Sequence, residues 1–329
     1  MIGLLAREGG AIVTQTPPAQ LRPSPDFVSR FNQLFIGGCP RSGTTLLARM
    51  LMGVEGSVVP PESHFKEALL SEDLNEEITH EEVALLHDHW QRRAWDLPPF
   101  DTWPWKSQTR AEFLEWLVRQ HGNKSDEEVT WIDHTPSNIT HSSALASLFP
   151  TARFLHIVRD PRGVYSSVRS LDWGPCTPCS SARWWLTRLE SGLEAEAHLA
   201  ERCLQISFEQ LLSHTDKTLS EITQWMDLSV PLKESGPYPV PSYSQRQHSL
   251  VNEAIDPRRA TAWEHELSAR DREIIESSCS VRLDALGYKR QFSTPRAATP
   301  LEKARDAGVE FWQQGLVRRV RRHVRRRLY

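Results

Sequence analysis

Short apolar runs recur along the chain, separated by stretches in which apolar residues fall three and four positions apart. Leu34-Phe35-Ile36 is stopped by Gly37-Gly38, and Leu46, Leu47, Met50 and Leu51 follow at helical spacing. Ser57-Val58-Val59 and Val129-Thr130-Trp131-Ile132 read as strands and Ser137 to Leu148 as a helix. Phe154-Leu155-His156-Ile157-Val158 reads as a strand covered on both faces. A later unit joins Leu204-Gln205-Ile206-Ser207 to a helix through Leu219, Ile222 and Trp225. Strands alternating with helices predict an α/β fold, a parallel sheet with helices on both faces.

The regions between these elements carry other signals. Residues 1–30 contain Gly9-Gly10, Pro17-Pro18, Pro23 and Pro25 without periodicity and read as a flexible leader. The segment from Trp95 to Trp105 is too rich in proline for regular structure; its aromatic side chains suit a pocket lining or a packed loop. With 39% hydrophobic and 25% charged residues the composition is that of an ordinary globular protein. No apolar run approaches the roughly 20 residues that span a bilayer, and Arg7 and Glu8 interrupt the opening apolar stretch. The expectation is a soluble, cytoplasmic protein. Five cysteines, an odd number in a long chain, fit a reducing compartment, and the single Cys176-x-x-Cys179 pair is read as a loop rather than a zinc site.

Gly38-Cys39-Pro40-Arg41-Ser42-Gly43-Thr44-Thr45 has the glycine spacing of a Walker A loop between a strand and a helix. The lysine that reaches the terminal phosphates of a nucleoside triphosphate is replaced by Thr44, and Arg41 supplies a cation three positions earlier. The amides of Ser42 to Thr45 still suit an anion at the helix start. A 5′-phosphate carrying a transferable group fits better than a triphosphate, and no metal is expected. A second anion site follows the Phe154–Val158 strand, where Arg159 stands at the strand's end and Ser167 lies eight residues on, in a helix that Pro161 starts. Ligands of open α/β sheets bind at the carboxyl ends of strands, so one ligand with two separated phosphates is implied.

Pro40 to Leu47, PRSGTTLL, resembles the 5′-phosphosulfate loop of the sulfotransferases, and Arg159 to Ser167, RDPRGVYSS, resembles their 3′-phosphate motif. The resemblance covers Phe31 to about Lys289. It implies a three-layer P-loop-type fold over residues 31–290 and the donor 3′-phosphoadenosine 5′-phosphosulfate (PAPS), held by Arg41, Ser42, Gly43, Thr44, Thr45, Arg159 and Ser167. It further implies that Arg41 stabilises the leaving phosphate. Glu62, in Pro60-Pro61-Glu62-Ser63-His64, resembles the catalytic glutamate of the tyrosylprotein and heparan sulfate enzymes, the Glu62-x-His64 spacing being closer to the latter. As a base, Glu62 needs burial that raises its pKa above the reference value of about 4.3. His134, in Asp133-His134-Thr135-Pro136, is the rival base, resembling the histidine of cytosolic members. Glu62 takes the base role here and His134 a donor or orienting role; His64 orients Glu62, contacts acceptor or is structural. Two departures stand out: Phe208 replaces the tyrosine of the relatives' Tyr-Glu-x-Leu, and Ala262 replaces the basic residue before Trp263, leaving Arg258 or Arg259 as weak substitutes.

The acceptor is a hydroxyl, expected on a carbohydrate or glycolipid from the Glu62-x-His64 pattern and from Trp95, Trp103, Trp105, Trp173, Trp184 and Trp185, whose faces suit sugar rings or an ordinary core. A peptide tyrosine or a small metabolite is the alternative. Two other classes compete: a P-loop kinase or nucleotide hydrolase, which Thr44 argues against, and a non-catalytic scaffold. The nominal net charge of −3 conceals an asymmetry: residues 301–329 carry nine basic and three acidic residues, 9 − 3 = +6, leaving 30 − 39 = −9 for the rest. After a linker from 291, Leu316, Val317, Val320, Val324 and Leu328 recur at helical spacing among arginines. The basic amphipathic helix so predicted suits an anionic membrane surface on the inner face, or docking on the acidic body; nucleic acid is not expected.

Overall fold

The computed structural model describes residues 31–70, 77–87, 89, 95–97, 100, 109–124, 128–227 and 236–313. The leader, Trp103, Trp105 and the basic segment from Leu316 to Tyr329 lie outside the described residues. Five strands form one parallel sheet: β1 (Phe31–Gly38), β2 (Ser57–Val58), β3 (Val129–Asp133), β4 (Arg153–Val158) and β5 (Cys203–Ser207). Their order is β2-β3-β1-β4-β5. The chain moves outward from β1 on one side, then returns to place β4 and β5 on the other. The carboxyl end of β1 is thus the switch point where the loops after β1 and β4 part, the usual crevice of an open α/β sheet.

Alternation along each strand gives the sheet two apolar faces. Leu34, Ile36, Ile132, Leu155 and Ile157 pack with Leu47 and Leu51 of α1 (Thr44–Leu51). On the other face Phe35 meets Trp131 edge-on at 5.2 Å and Phe154 at 5.4 Å. That face also takes α2 (His80–His87), α3 (Arg110–Gly122) and α4 (Ser142–Leu148). The last of these begins five residues later than the sequence pattern suggests, because Pro136–Asn138 forms a separate 3-10 turn. Asp160 caps α5 (Pro161–Val168) by accepting from the Arg162 amide, with Pro161 in the first turn.

The longest helix among the described residues, α6 (Pro178–Leu199), is not apparent from the sequence pattern. It buries Ala182, Trp185, Leu189, Gly192 and Ala195. Gly192 is required there, since a Cβ would run into the ring of His156 on β4. Cys179 lies in the first turn of α6 and Cys176 in the loop before it; the described residues hold no group suited to a metal ion. After β5 come α7 (Phe208–Ser213), α8 (Thr215–Trp225), the short α9 (Trp263–Glu266), α10 (Ala269–Ala285) and α11 (Pro300–Trp312). The last helix crosses back to α6, where Glu310 accepts from the amides of Cys176 and Thr177 at 2.6 and 3.0 Å. Its carboxylate thereby caps a helix that has no side-chain cap of its own. No described helix is long and apolar enough to cross a membrane.

Candidate active site

The loop after β1 turns through Arg41, whose φ of 75° is rare for a residue with a Cβ and costs on the order of 1–3 kcal/mol. Arg159, at the end of β4, braces this turn by donating from Nη1 to the Arg41 carbonyl at 2.8 Å. Gly43 follows with φ 100°, and a Cβ there would meet the Phe208 ring at 2.6 Å. Phe208 therefore does more than fill space: its ring presses against the loop and carries the Arg159 guanidinium 4.2 Å above its centre. Thr44 and Thr45 open α1, whose N-cap, Gly43, offers no side-chain acceptor, so first-turn amides are directed into the crevice.

The two anion motifs meet. Arg41 Nε donates to Ser167 Oγ at 3.1 Å, although 126 residues separate them. Burial pushes the Arg41 guanidinium below its usual pKa and brings that of Arg159 to about 10, the latter lowered further by the charge of Arg41. Ser42 Oγ and Arg159 Nε are buried without a hydrogen-bond partner among the described residues. Two crowded cations beside orphaned polar atoms form a site whose electrostatics call for an anion. Arg259, Ala262 and Trp263 complete the wall, whereas Arg258 points into solvent and pairs with Asp256.

Across the crevice lies the segment following β2. Glu62 is half-buried, and His64 Nε2 donates to its carboxylate at 3.1 Å while His64 Nδ1 donates to Glu67 at the same distance. Both ring nitrogens are donors, which requires the imidazolium. Burial alone would lower the His64 pKa, but the two carboxylates outweigh it and bring it to about 9. Glu67, bonded by His64 and by Ser137 Oγ at 2.5 Å, falls to about 2. For Glu62 the outcome differs from the sequence expectation. Burial does push its pKa up, yet the His64 hydrogen bond and the His134, His64 and His248 rings outweigh it and hold the carboxyl below its usual value.

His134 does not reach the crevice. It is 2% exposed, and its Nε2 lies 2.8 Å from the hydroxyl of Tyr238, which donates to the Pro60 carbonyl at 3.4 Å. Burial lowers the pKa of His134. Beside it, Asp133 accepts from Ser63 Oγ, from the Thr135 amide at 2.9 Å and from Lys66 Nζ at 3.2 Å. This buried ion pair ties the Glu62 segment to the end of β3. A third group went unnoticed in the sequence: His248, in the loop 241–254, lines the same crevice, and its only sequence signal is a histidine in a polar loop. Trp173 and Trp184 also line it, while Trp95 and Trp185 are core residues at 1% exposure. The whole crevice encloses about 1730 Å³, more than the roughly 300–1,000 Å³ of a single small-molecule pocket.

The His64 bridge sets a pH dependence of stability. A histidine with a folded pKa of about 9 and an unfolded value of about 6.5 stabilises fully below pH 6.5, and that contribution is lost as pH rises toward 9. The melting temperature is expected to decline across this window, and His64→Ala to flatten the decline; an unchanged slope in the variant would exclude the bridge.

The sulfotransferase family model matches residues 33–231. The chain is 25% identical over 214 residues to a protein-tyrosine sulfotransferase of Drosophila melanogaster and 27% identical over 210 residues to protein-tyrosine sulfotransferase 1 of Danio rerio. These matches cover 59% of this chain but only 38% and 53% of those proteins, so the chain spans about half their length or less. Two solved structures share the fold. The sulfotransferase domain of the Synechococcus PCC 7002 olefin synthase has a TM-score of 0.56 at 22% identity, over 78% of this chain and 95% of that one. The sulfotransferase domain from the curacin biosynthetic pathway has a TM-score of 0.54 at 17% identity, over 78% and 97%. With the matched region spanning the sheet, the phosphate loop and both sides of the crevice, the chain belongs to the sulfotransferase family.

Proposed function

We propose that this protein transfers the sulfuryl group of PAPS to an acceptor hydroxyl, with Glu62 as general base and Arg41 at the leaving phosphate. The observation that supports this most directly is the meeting of Arg41 and Ser167: the phosphosulfate loop and the 3′-phosphate motif share one crevice through a hydrogen bond of 3.1 Å. In-line transfer needs a cation where the leaving phosphate oxygen gains charge and a base on the opposite side. Arg41 and Glu62 stand close enough for each to feel the other's charge. The Arg159 guanidinium lines the crevice with its Nε unpartnered among the described residues and fits a phosphate oxygen, whereas Ser42 is fully buried and does not line the crevice.

A titration with PAP, the desulfated donor, tests the reading without metal or acceptor. Binding is expected in the parent, and Arg159→Ala is expected to weaken it by tenfold or more, on the scale of one charged hydrogen bond of about 1.5–3 kcal/mol. No binding by the parent would end the sulfuryl-transfer reading; equal affinity in the variant would remove Arg159 from the 3′-phosphate.

The acceptor we favour is a phenol, as in a tyrosine side chain. A carboxylate held below its usual pKa is a weak base, better matched to a phenolic proton with a pKa near 10 than to the far less acidic proton of a sugar alcohol. The sequence similarity to protein-tyrosine sulfotransferases points the same way. A carbohydrate or glycolipid is the second reading, favoured by Trp173 and Trp184 on the crevice wall. Sulfate transfer to a panel of tyrosine peptides, simple phenols and glycans separates the two.

A further inference from the structure

The loop 241–254 is fixed over the crevice from several sides. Arg41 Nη2 donates to the Gln247 carbonyl at 2.8 Å, and Trp173 Nε1 donates to Gln247 Oε1 at 2.9 Å. Arg49, on α1, donates to the Val251 carbonyl at 2.6 Å and to that of Glu253 at 3.1 Å. Asn252 exchanges two hydrogen bonds with the backbone of Tyr238, at 2.8 and 3.0 Å. Tyr238 in turn holds the Pro60 carbonyl, two residues before Glu62. The loop is thus pinned to the phosphate loop and its helix through Gln247, Val251 and Glu253, and to the Glu62 segment through Asn252 and Tyr238.

His248 sits within this clamp. Its amide is taken by the Ser244 and Gln245 carbonyls, at 3.1 and 3.2 Å, and its carbonyl by Val251 at 3.0 Å, so its backbone is fixed. The imidazole faces the crevice and makes no hydrogen bond among the described residues. The charged and titratable groups that act on it are Glu62, Arg41 and His134. It therefore shares the crevice with Arg41, which bonds the carbonyl of the preceding residue, and with Glu62. Burial, with Arg41 and His134 adding to it, lowers the His248 pKa to about 4 against the pull of Glu62. A neutral ring keeps one N–H donor and does not compete with the acceptor for Glu62 as a second cation would. A donor carried into the crevice on a fixed backbone can stabilise oxygen atoms that rearrange their charge.

We propose that His248 is a catalytic residue whose ring N–H donates a hydrogen bond to an oxygen of the sulfuryl group in transit. The inference rests on the sulfuryl-transfer reading. In the step the sulfur–oxygen bond to the phosphate breaks and one to the acceptor oxygen forms. The acceptor proton passes to Glu62, the leaving phosphate keeps the electron pair beside Arg41, and His248 neither gains nor loses a proton.

The test compares the parent, His248→Ala and His248→Gln, the last of which keeps an N–H donor that does not titrate near neutrality. PAPS turnover is followed with the panel acceptor that the parent uses best, or with water, alongside PAP affinity and melting temperature. His248→Ala is expected to lower kcat by about 100- to 1,000-fold, as for loss of one oxyanion donor, with PAP affinity and melting temperature held. His248→Gln is expected to recover at least tenfold of that loss. Turnover of His248→Ala within threefold of the parent would overturn the proposal, as would a glutamine variant no better than alanine or a parallel loss of PAP affinity. A parent that binds no PAP would instead remove the reading beneath it.

Discussion

Glu62→Gln should lower turnover by about 100- to 10,000-fold, the range over which a positioned general base contributes, while PAP binds as in the parent. The amide keeps the size of the carboxylate and loses its proton affinity. It also loses the anion that holds His64 in its charged form, so the variant's His64 should titrate at lower pH than the parent's value of about 9. That second readout, by NMR of the imidazole, confirms that the substituted group is the one bonded to His64. If turnover survives in Glu62→Gln and disappears in His134→Ala, the base assignment reverses. The geometry weighs against that outcome, because His134 is buried, its Nε2 is engaged by Tyr238, and its link to Pro60 makes it a brace for the segment that carries Glu62.

Arg162→Met should cause the largest loss of stability. Arg162 is 2% exposed and bonds Asp160 through Nε at 2.9 Å and Nη2 at 2.6 Å; it also bonds Glu276 and the Lys289 carbonyl. Its guanidinium lies 3.9 Å over the ring of Trp263. One side chain thus joins α5 to α9, α10 and the chain beyond. Methionine fills similar volume but leaves the carboxylates of Asp160 and Glu276 without their cation at 4% and 0% exposure. Breaking such a pair costs about 3–5 kcal/mol, and at about 2–4 °C per kcal/mol for a domain of this class the melting temperature should fall by about 6–20 °C. Arg162→Lys should lie between, since it keeps the charge without the planar fork. A methionine variant that melts within 2 °C of the parent would show that the network adds nothing.

The sequence reveals the sheet because four of its five strands are apolar runs bounded by turn residues, and the phosphate loop because glycine spacing is a local property. Arg159 and Ser167 are legible for the same reason. What escapes is built from contacts between distant positions. Lys66 pairs with Asp133 and Arg41 with the Gln247 carbonyl, and neither partner can be named from a single chain. His248 carries no periodicity and no motif. The direction of the Glu62 pKa is not legible either, because it turns on the hydrogen bond from His64, which a second carboxylate, Glu67, holds as a cation. The α6 helix leaves little trace in the pattern because its buried face includes Gly192 and Ala182, small residues that register weakly as apolar.

The Glu310 cap joins the two ends of the chemistry to the far end of the described chain. Because α6 takes its N-terminal acceptor from α11, α11 is a structural part of the same body as the sheet rather than a spacer, although it lies beyond the matched family region. The last described helix, α11, is itself fixed against α6, the helix whose first turn its Glu310 caps. A deletion designed to test the basic residues from Arg318 onward should therefore begin after Trp312. A cut at residue 290 would uncap α6 and mix a damaged enzyme with a missing tail.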